Sequence, residues 1–265
     1  YARAHGASVI GFAPVSRWAE AGEVPPAYRP DAIWPRARTV VTFGAPMLLP
    51  LVDSTPSIHH QELYDTVNRL LDDLAYRLSV WLLDRGHGAV NLARDGYGSL
   101  EALLLERFGA FSHVMAAKYA GLGTLGVSHN LVTPEYGPRL RLASIFTDVE
   151  LPGDRLRQQD VCNGCNLCVR LCPARALAAR QGAPLAALDK DACTRHHIAL
   201  RDEKRWPCGV CIKVCPIGRD RAVFGGLRTK DYLAEPAALA ADRGDPRYAG
   251  LVHLRRHGSL GDRIS

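Results

Sequence analysis

With 265 residues and a hydrophobic fraction of 47%, the chain has enough apolar material for a genuine core and room for one large domain, or a medium one plus a small one. No stretch approaches the roughly 18 consecutive apolar residues of a spanning helix, so no membrane partner is expected. The formal net charge of +6 is uneven: residues 1–158 carry 15 Lys+Arg against 16 Asp+Glu, net −1, and residues 159–265 carry 18 against 11, net +7.

The opening YARAHGASVIGFAP lacks the charged start, long apolar run and small-residue cleavage site of a secretory signal. That predicts a reducing cytoplasm, where eight cysteines mean metal more often than disulfides. Ser8 to Ala13 is a short apolar run ending in Pro14 and predicts a first strand. Residues 20–36 hold Pro25, Pro26, Pro30 and Pro35 and predict loop or short turns. Thr39 to Gly44 is β-branched and apolar, which predicts a buried second strand. Over 58–84, Leu63, Val67, Leu70, Leu71, Leu74, Leu78, Trp81 and Leu82 recur at threes and fours, the spacing of one helical face. Gly86 and Gly88 close that helix.

Ala89 to Ala93 predicts a third strand, Leu100 to Phe108 a short helix, and Ser112 to Tyr119 another that ends in the glycines of AGLGTLG. Asn130 to Thr133 and Arg139 to Val149 predict two strands joined by a PEYGP turn. The alternation in RLRLASIFTDV predicts that the second of them is half exposed. Helices and strands interleave through residue 150, which points to a mixed α/β layer domain. Pro152, Gly153 and Asp154 make a hinge before the texture changes. After Cys215, a tail rich in Arg, Gly and Ala is expected to wrap back on the body, with a short helix at Glu235 to Asp242.

Val161 to Pro173 reads VCNGCNLCVRLCP and spaces Cys162, Cys165, Cys168 and Cys172 as C-x2-C-x2-C-x3-C-P; Cys193, Cys208, Cys211 and Cys215, with Pro216 after the last, complete the eight cysteines. A [4Fe-4S] cube needs four converging thiolates, and in two-cluster ferredoxins the fourth cysteine of each run ligates the other cluster. The crossed assignment is then Cys162, Cys165, Cys168 and Cys215 on one cube, and Cys172, Cys193, Cys208 and Cys211 on the other. Zinc is the competing assignment for C-x2-C pairs, but two cubes use every cysteine. Arg205 stands where a ferredoxin would place the first cysteine of the second run, so Cys193 is expected to arrive on a longer loop. Eight thiolates (roughly −8) and two oxidised cubes (roughly +4) would leave the second half only mildly basic. Nucleic acid is therefore not the expected partner.

Residues 116–154, AAKYAGLGTLGVSHNLVTPEYGPRLRLASIFTDVELPGD, followed by the double cysteine motif with its late cysteine, resemble the epoxyqueuosine reductase family and, more distantly, the reductive dehalogenases. The resemblance is strong over 113–217 and weaker over 7–50. It implies an α+β chain: a nitroreductase-like mixed α/β domain over 1–150, a bacterial-type ferredoxin domain with two [4Fe-4S] clusters over 151–220, and a C-terminal tail over 221–265. It also implies a base-off cobalamin that receives electrons from the clusters. Gly121, Gly123 and Gly126 would let the backbone approach a flat macrocycle, and Tyr136 and Arg139 would contact the corrin or its amide arms. The aspartate-bearing segment that precedes A-G-L-G in epoxyqueuosine reductases reads ERFGAFSHVMAAKYAGLG here, with no aspartate.

His113 becomes the proton-donor candidate, since imidazole cycles near neutral pH, and Tyr119 the second. His59–His60 and His196–His197 are read as solvated or hydrogen-bonded near loops. The function expected is a cobalamin-dependent iron-sulfur reductase of a small molecule, with reduced ferredoxin or flavodoxin as electron donor. The alternatives are an electron-transfer protein that reduces a partner's corrinoid or flavin, and a reductase acting on epoxyqueuosine in tRNA.

Overall fold

The early apolar runs become strands because β-branched and aromatic side chains fit a pleated, buried surface. In the computed structural model, which describes residues 1–257, β1 is Val9–Pro14, β2 Thr39–Pro46, β3 Ala89–Asn91, β4 Thr124–Leu125, β5 Leu131–Val132 and β6 Leu140–Thr147. A four-stranded sheet runs in the order β1-β2-β6-β3, with antiparallel pairing throughout. β2 and β6 are its central pair, with Val40 opposite Phe146 and Thr42 opposite Ser144.

β6 departs from its expected half-exposure: residues 142–147 are all buried. Within 142–147 the polar residues are the hydroxyls Ser144 and Thr147, which find partners inside the protein. Ser144 Oγ and Thr42 Oγ1 lie 3.0 Å apart, and Thr147 Oγ1 donates to the Gly88 carbonyl at 2.9 Å. A satisfied hydroxyl can be buried on a central strand where a charge could not. The expected hairpin through PEYGP also changes. β5 pairs with β4, while the turn closes only a bridge between Thr133 and Gly137.

The chain divides into two units, each discontinuous in sequence rather than split near residue 150. The first comprises residues 1–46, 67–124 and 140–160 and contains the four-stranded sheet. One face of that sheet packs on Trp18, Phe111, Ala116 and Tyr119. The helix His113–Tyr119 lies against β1, β2 and β6; the Ser112 hydroxyl caps its start by accepting from the Met115 N–H at 3.3 Å.

The second unit comprises residues 47–66, 125–139 and the chain from 161 onward, and holds all eight cysteines. Its helices are short: Leu167–Arg170, Lys190–Asp202, Val210–Lys213, Asp220–Phe224, Thr229–Ala241 and Ala249–Arg256. Leu167, Val214 and Tyr232 form one small core; Leu239, Tyr248, Leu251 and Val252 form another. Cys193 lies in the first turn of the helix Lys190–Asp202, not on a loop. Asp189 starts that helix by accepting from the Ala192 N–H at 2.9 Å, a short carboxylate cap at the positive end of the helix dipole. Among the described residues no helix is long and apolar enough to cross a membrane.

Candidate functional site

All eight thiols lie in the second unit, and the charges that act on Cys168, Cys208 and Cys211 come from other thiols in two overlapping groups. Burial pushes the Cys168 thiol up to about 11, and Cys165, Cys162 and Cys215 push it further. Burial likewise takes Cys208 up to about 12, with Cys211, Cys193 and Cys172 adding to the rise. Cys162, Cys165, Cys168 and Cys215 line one cavity together with Cys211, and Cys211 also feels Cys168, so the groups overlap. Crossed ligation would draw on these groups. Among the described residues no three His, Cys, Asp or Glu side chains are arranged to hold a single metal ion. Thiols raised this far stay protonated at neutral pH, so a metal that binds them must displace protons.

Arg139 organises the loop after Cys211. Its side chain is 0% exposed. Nε and Nη2 make a two-pronged contact with Asp220 at 2.7 and 2.6 Å. Nη1 donates to the carbonyls of Ile212 at 3.3 Å and Cys215 at 3.2 Å, and Nη2 to Ile217 at 2.7 Å. All five N–H groups of the guanidinium are thereby engaged within the unit, which assigns the side chain to the fold of the Cys215 loop. Tyr136 is half-buried, and its backbone N–H donates to Thr133 Oγ1 at 3.1 Å.

A second brace holds the turn Val210–Lys213 between Cys211 and Cys215. Lys213 Nζ, buried, meets both oxygens of Glu235 at 2.9 and 2.8 Å, and Arg255 meets the same carboxylate at 2.6 Å. Burial first, then Arg255, pulls the Lys213 ammonium down to about 8. Arg221 donates to the Cys215 carbonyl at 2.8 Å and to the Lys213 carbonyl at 2.5 Å. Cys208 is fixed from the other side: Thr55 Oγ1 donates to its carbonyl, and His60 Nδ1 donates to the Pro207 carbonyl at 3.2 Å. His59 is exposed while His60 is fully buried. Arg205, in the position of the missing ferredoxin cysteine, is buried and bonded to the Pro56 carbonyl and to Glu203. His197 accepts from Trp206 Nε1 at 3.0 Å. Asp220, Glu235 and Arg255 carried no sequence signal, because their partners are distant in sequence.

In the first unit His113 is 7% exposed and both ring nitrogens are engaged. Nε2 lies 3.0 Å from the Ala93 carbonyl, which can only accept, so Nε2 carries the proton. Nδ1 then accepts from Ser144 Oγ at 3.0 Å, extending the Thr42–Ser144 pair into a chain of hydrogen bonds. Burial lowers the affinity of the ring for a second proton. Tyr119 is also buried; its hydroxyl donates to Glu23 at 2.9 Å, and Lys118 pairs with the same carboxylate at 2.6 Å. Burial, then the Glu23 carboxylate, makes the phenol a weaker acid than usual.

Gly121 has φ +68°, and a Cβ there would stand 2.2 Å from the Arg155 carbonyl oxygen. A Cβ on Gly126 would meet Val132 at 2.6 Å. Both glycines are therefore required by contacts within their own unit, on the side that a Cβ would occupy. Gly123 is buried.

No protein-family model matches the chain. The tetrachloroethene reductive dehalogenase of Desulfitobacterium hafniense is 25% identical over 195 residues, covering 68% of this chain and 33% of that protein. The epoxyqueuosine reductase of Bacillus cereus is 31% identical over 145 residues, covering 46% of this chain and 37% of that protein. Among solved structures, the catabolic reductive dehalogenase NpRdhA in complex with 3-bromo-4-hydroxybenzoic acid superimposes with a TM-score of 0.61 at 20% identity, over 95% of this chain and 36% of that one. These similarities support the epoxyqueuosine reductase and reductive dehalogenase superfamily for this chain. The chain spans a third or slightly more of the length of these relatives. The superfamily relation gives the mixed α/β fold of this chain a context and directs attention to its eight thiols.

Proposed function

We propose that this chain is an iron-sulfur reductase with two [4Fe-4S] clusters, one on Cys162, Cys165, Cys168 and Cys215 and the other on Cys172, Cys193, Cys208 and Cys211. The observation that carries the reading is that Cys162, Cys165, Cys168 and Cys215 line one cavity with Cys211, while Cys208 feels Cys211, Cys193 and Cys172. Such cubes supply one-electron chemistry at low potential. The chain's own contribution is positional. Arg139 and Arg221 hold the Cys215 carbonyl, Thr55 and His60 hold the segment Pro207–Cys208, and Lys213 anchors the chain between Cys211 and Cys215.

The relatives support a small-molecule substrate and a corrinoid as electron acceptor, since a reductive dehalogenase with TM-score 0.59 is described in terms of B12-dependent dehalogenation. Gly121, Gly126 and Arg139, nominated for a corrin, each already make close contacts within the protein. That observation favours a second reading, in which the same clusters reduce a corrinoid or flavin carried by a partner. His113 and Tyr119 stay the proton-donor candidates, each already bonded within the first unit. Reduced ferredoxin or flavodoxin is the proposed donor.

Purification without oxygen tests the reading. About eight irons per chain are expected from two cubes, and four or fewer overturn it. Added cobalamin then separates the acceptors. A base-off spectrum with corrinoid retained on gel filtration supports the small-molecule reductase; a full iron load with no retained corrinoid supports transfer to a partner.

A further inference from the structure

Asn130 lies four residues beyond Gly126, in the part of the second unit that precedes the cysteine motifs. Its Nδ2 is 3.5 Å from Cys211 Sγ, 2.9 Å from Ser128 Oγ and 3.4 Å from the Ser128 carbonyl. The carbonyl can only accept, and so can a thiolate, which fixes the amide with its nitrogen toward the sulfur. Elsewhere in the same set, Cys172 Sγ accepts from the Ala176 backbone N–H at 3.3 Å. A backbone donor survives any substitution, whereas Asn130 is a side chain and can be removed.

Hydrogen bonds to the sulfurs are among the levers that set the potential of an iron-sulfur cluster. An N–H aimed at a ligand sulfur stabilises the more negative, reduced state over the oxidised one, because the donor's partial positive charge meets more negative charge after the electron arrives. We propose that Asn130 is a positioning residue that raises the reduction potential of the cluster on Cys172, Cys193, Cys208 and Cys211 through its N–H···S contact with Cys211. The inference rests on the two-cluster reading. Electron entry adds one electron, with no bond made or broken, so the effect is on the equilibrium of a single-electron step.

The test uses the full chain, reconstituted without oxygen and titrated electrochemically while the two cluster signals are followed by electron paramagnetic resonance. Iron is counted first. Fewer than eight irons in the unsubstituted chain count against the two-cluster reading and are recognised before Asn130 is tested. Asn130→Leu is expected to make one of the two clusters about tenfold harder to reduce, 59 mV for one electron, and to leave the other unchanged. Asn130→Asp keeps the shape, removes the donor and adds a negative charge, so it should move the same cluster at least as far. Ser128→Ala keeps the donor and should move neither.

A full iron load with both potentials unmoved in Asn130→Leu and Asn130→Asp overturns the proposal. So does an equal shift of both clusters, or a shift in Ser128→Ala matching that in Asn130→Leu, because either would place the effect in the loop rather than the N–H···S contact.

Discussion

Replacing Arg139 by methionine keeps much of the volume and removes five hydrogen bonds at once. The Asp220 carboxylate, 9% exposed, is left without its guanidinium, and breaking one side of a buried ion pair costs about 3–5 kcal/mol. The carbonyls of Ile212, Cys215 and Ile217 lose a donor too, which pushes the cost toward the upper end. A domain's whole stability is about 5–15 kcal/mol, so the second unit would lose a large fraction of its margin. For a chain of this size, about 1 kcal/mol shifts the melting midpoint by about 2–4 °C, giving an expected fall of about 6–20 °C.

Differential scanning calorimetry of the iron-loaded chain reads the fall directly. Arg139→Met/Asp220→Asn should recover part of it, since the stranded charge is gone. Iron content should drop in the single variant, because the Cys215 carbonyl is held by that guanidinium. A single variant melting within 2 °C of the original, at roughly full iron, would refute the assignment of Arg139 as the clamp of this loop.

Further expectations concern other parts of the chain. Gly121→Ala introduces a side chain at φ +68° and 2.2 Å from a backbone oxygen. Strain and overpacking together cost about 2–4 kcal/mol, and an unchanged denaturation midpoint in urea would contradict that geometry. Burial keeps His60 neutral in the folded chain down to about pH 4, whereas the unfolded imidazole takes its proton near 6.5. Its contribution is therefore fully present above pH 6.5 and falls as the pH drops toward 4, by about 3 kcal/mol. Melts recorded from pH 7 to 4.5 should show this slope, and His60→Gln should flatten it; equal slopes in the two proteins would count against it. Cys193→Ser should halve the iron to about four atoms by leaving one set with three thiols; an undiminished count would remove Cys193 from the ligand set.

The strands at Val9–Pro14 and Thr39–Pro46 were legible because a run of β-branched and aromatic residues has few other places to go. The helix Ile58–Leu83 was legible from its threes and fours. The burial of β6 was not, since alternation separates apolar from polar but does not distinguish a hydroxyl that finds a partner, such as Ser144, from a charge that must face water. The helical setting of Cys193 was missed because the cap at Asp189 is a weak local signal beside the long gap to Cys208. Arg139, in the EYGPR turn, was nominated to contact a corrin. Its actual partner Asp220 lies 81 residues on, and no periodicity or spacing links such a pair. The resemblance pointed to the glycine turn as a place for a cofactor, but the glycines of AGLGTLG also serve close backbone packing, a distinction that only coordinates make.

The second unit is stitched from both ends of the sequence, and this bears on the order of synthesis. Arg255 donates to the Ser54 carbonyl across 201 residues at 3.2 Å, and Tyr232 donates to Asp53 across 179 at 2.7 Å. A ribosome delivers residues 47–66 early and the helix Ala249–Arg256 much later, at about 5–20 residues per second. Through that interval Asp53 waits for Tyr232 and the Ser54 carbonyl for Arg255. Contacts this far apart in sequence are formed late and slowly. The second unit can therefore close fully only after the helix Ala249–Arg256 has been translated.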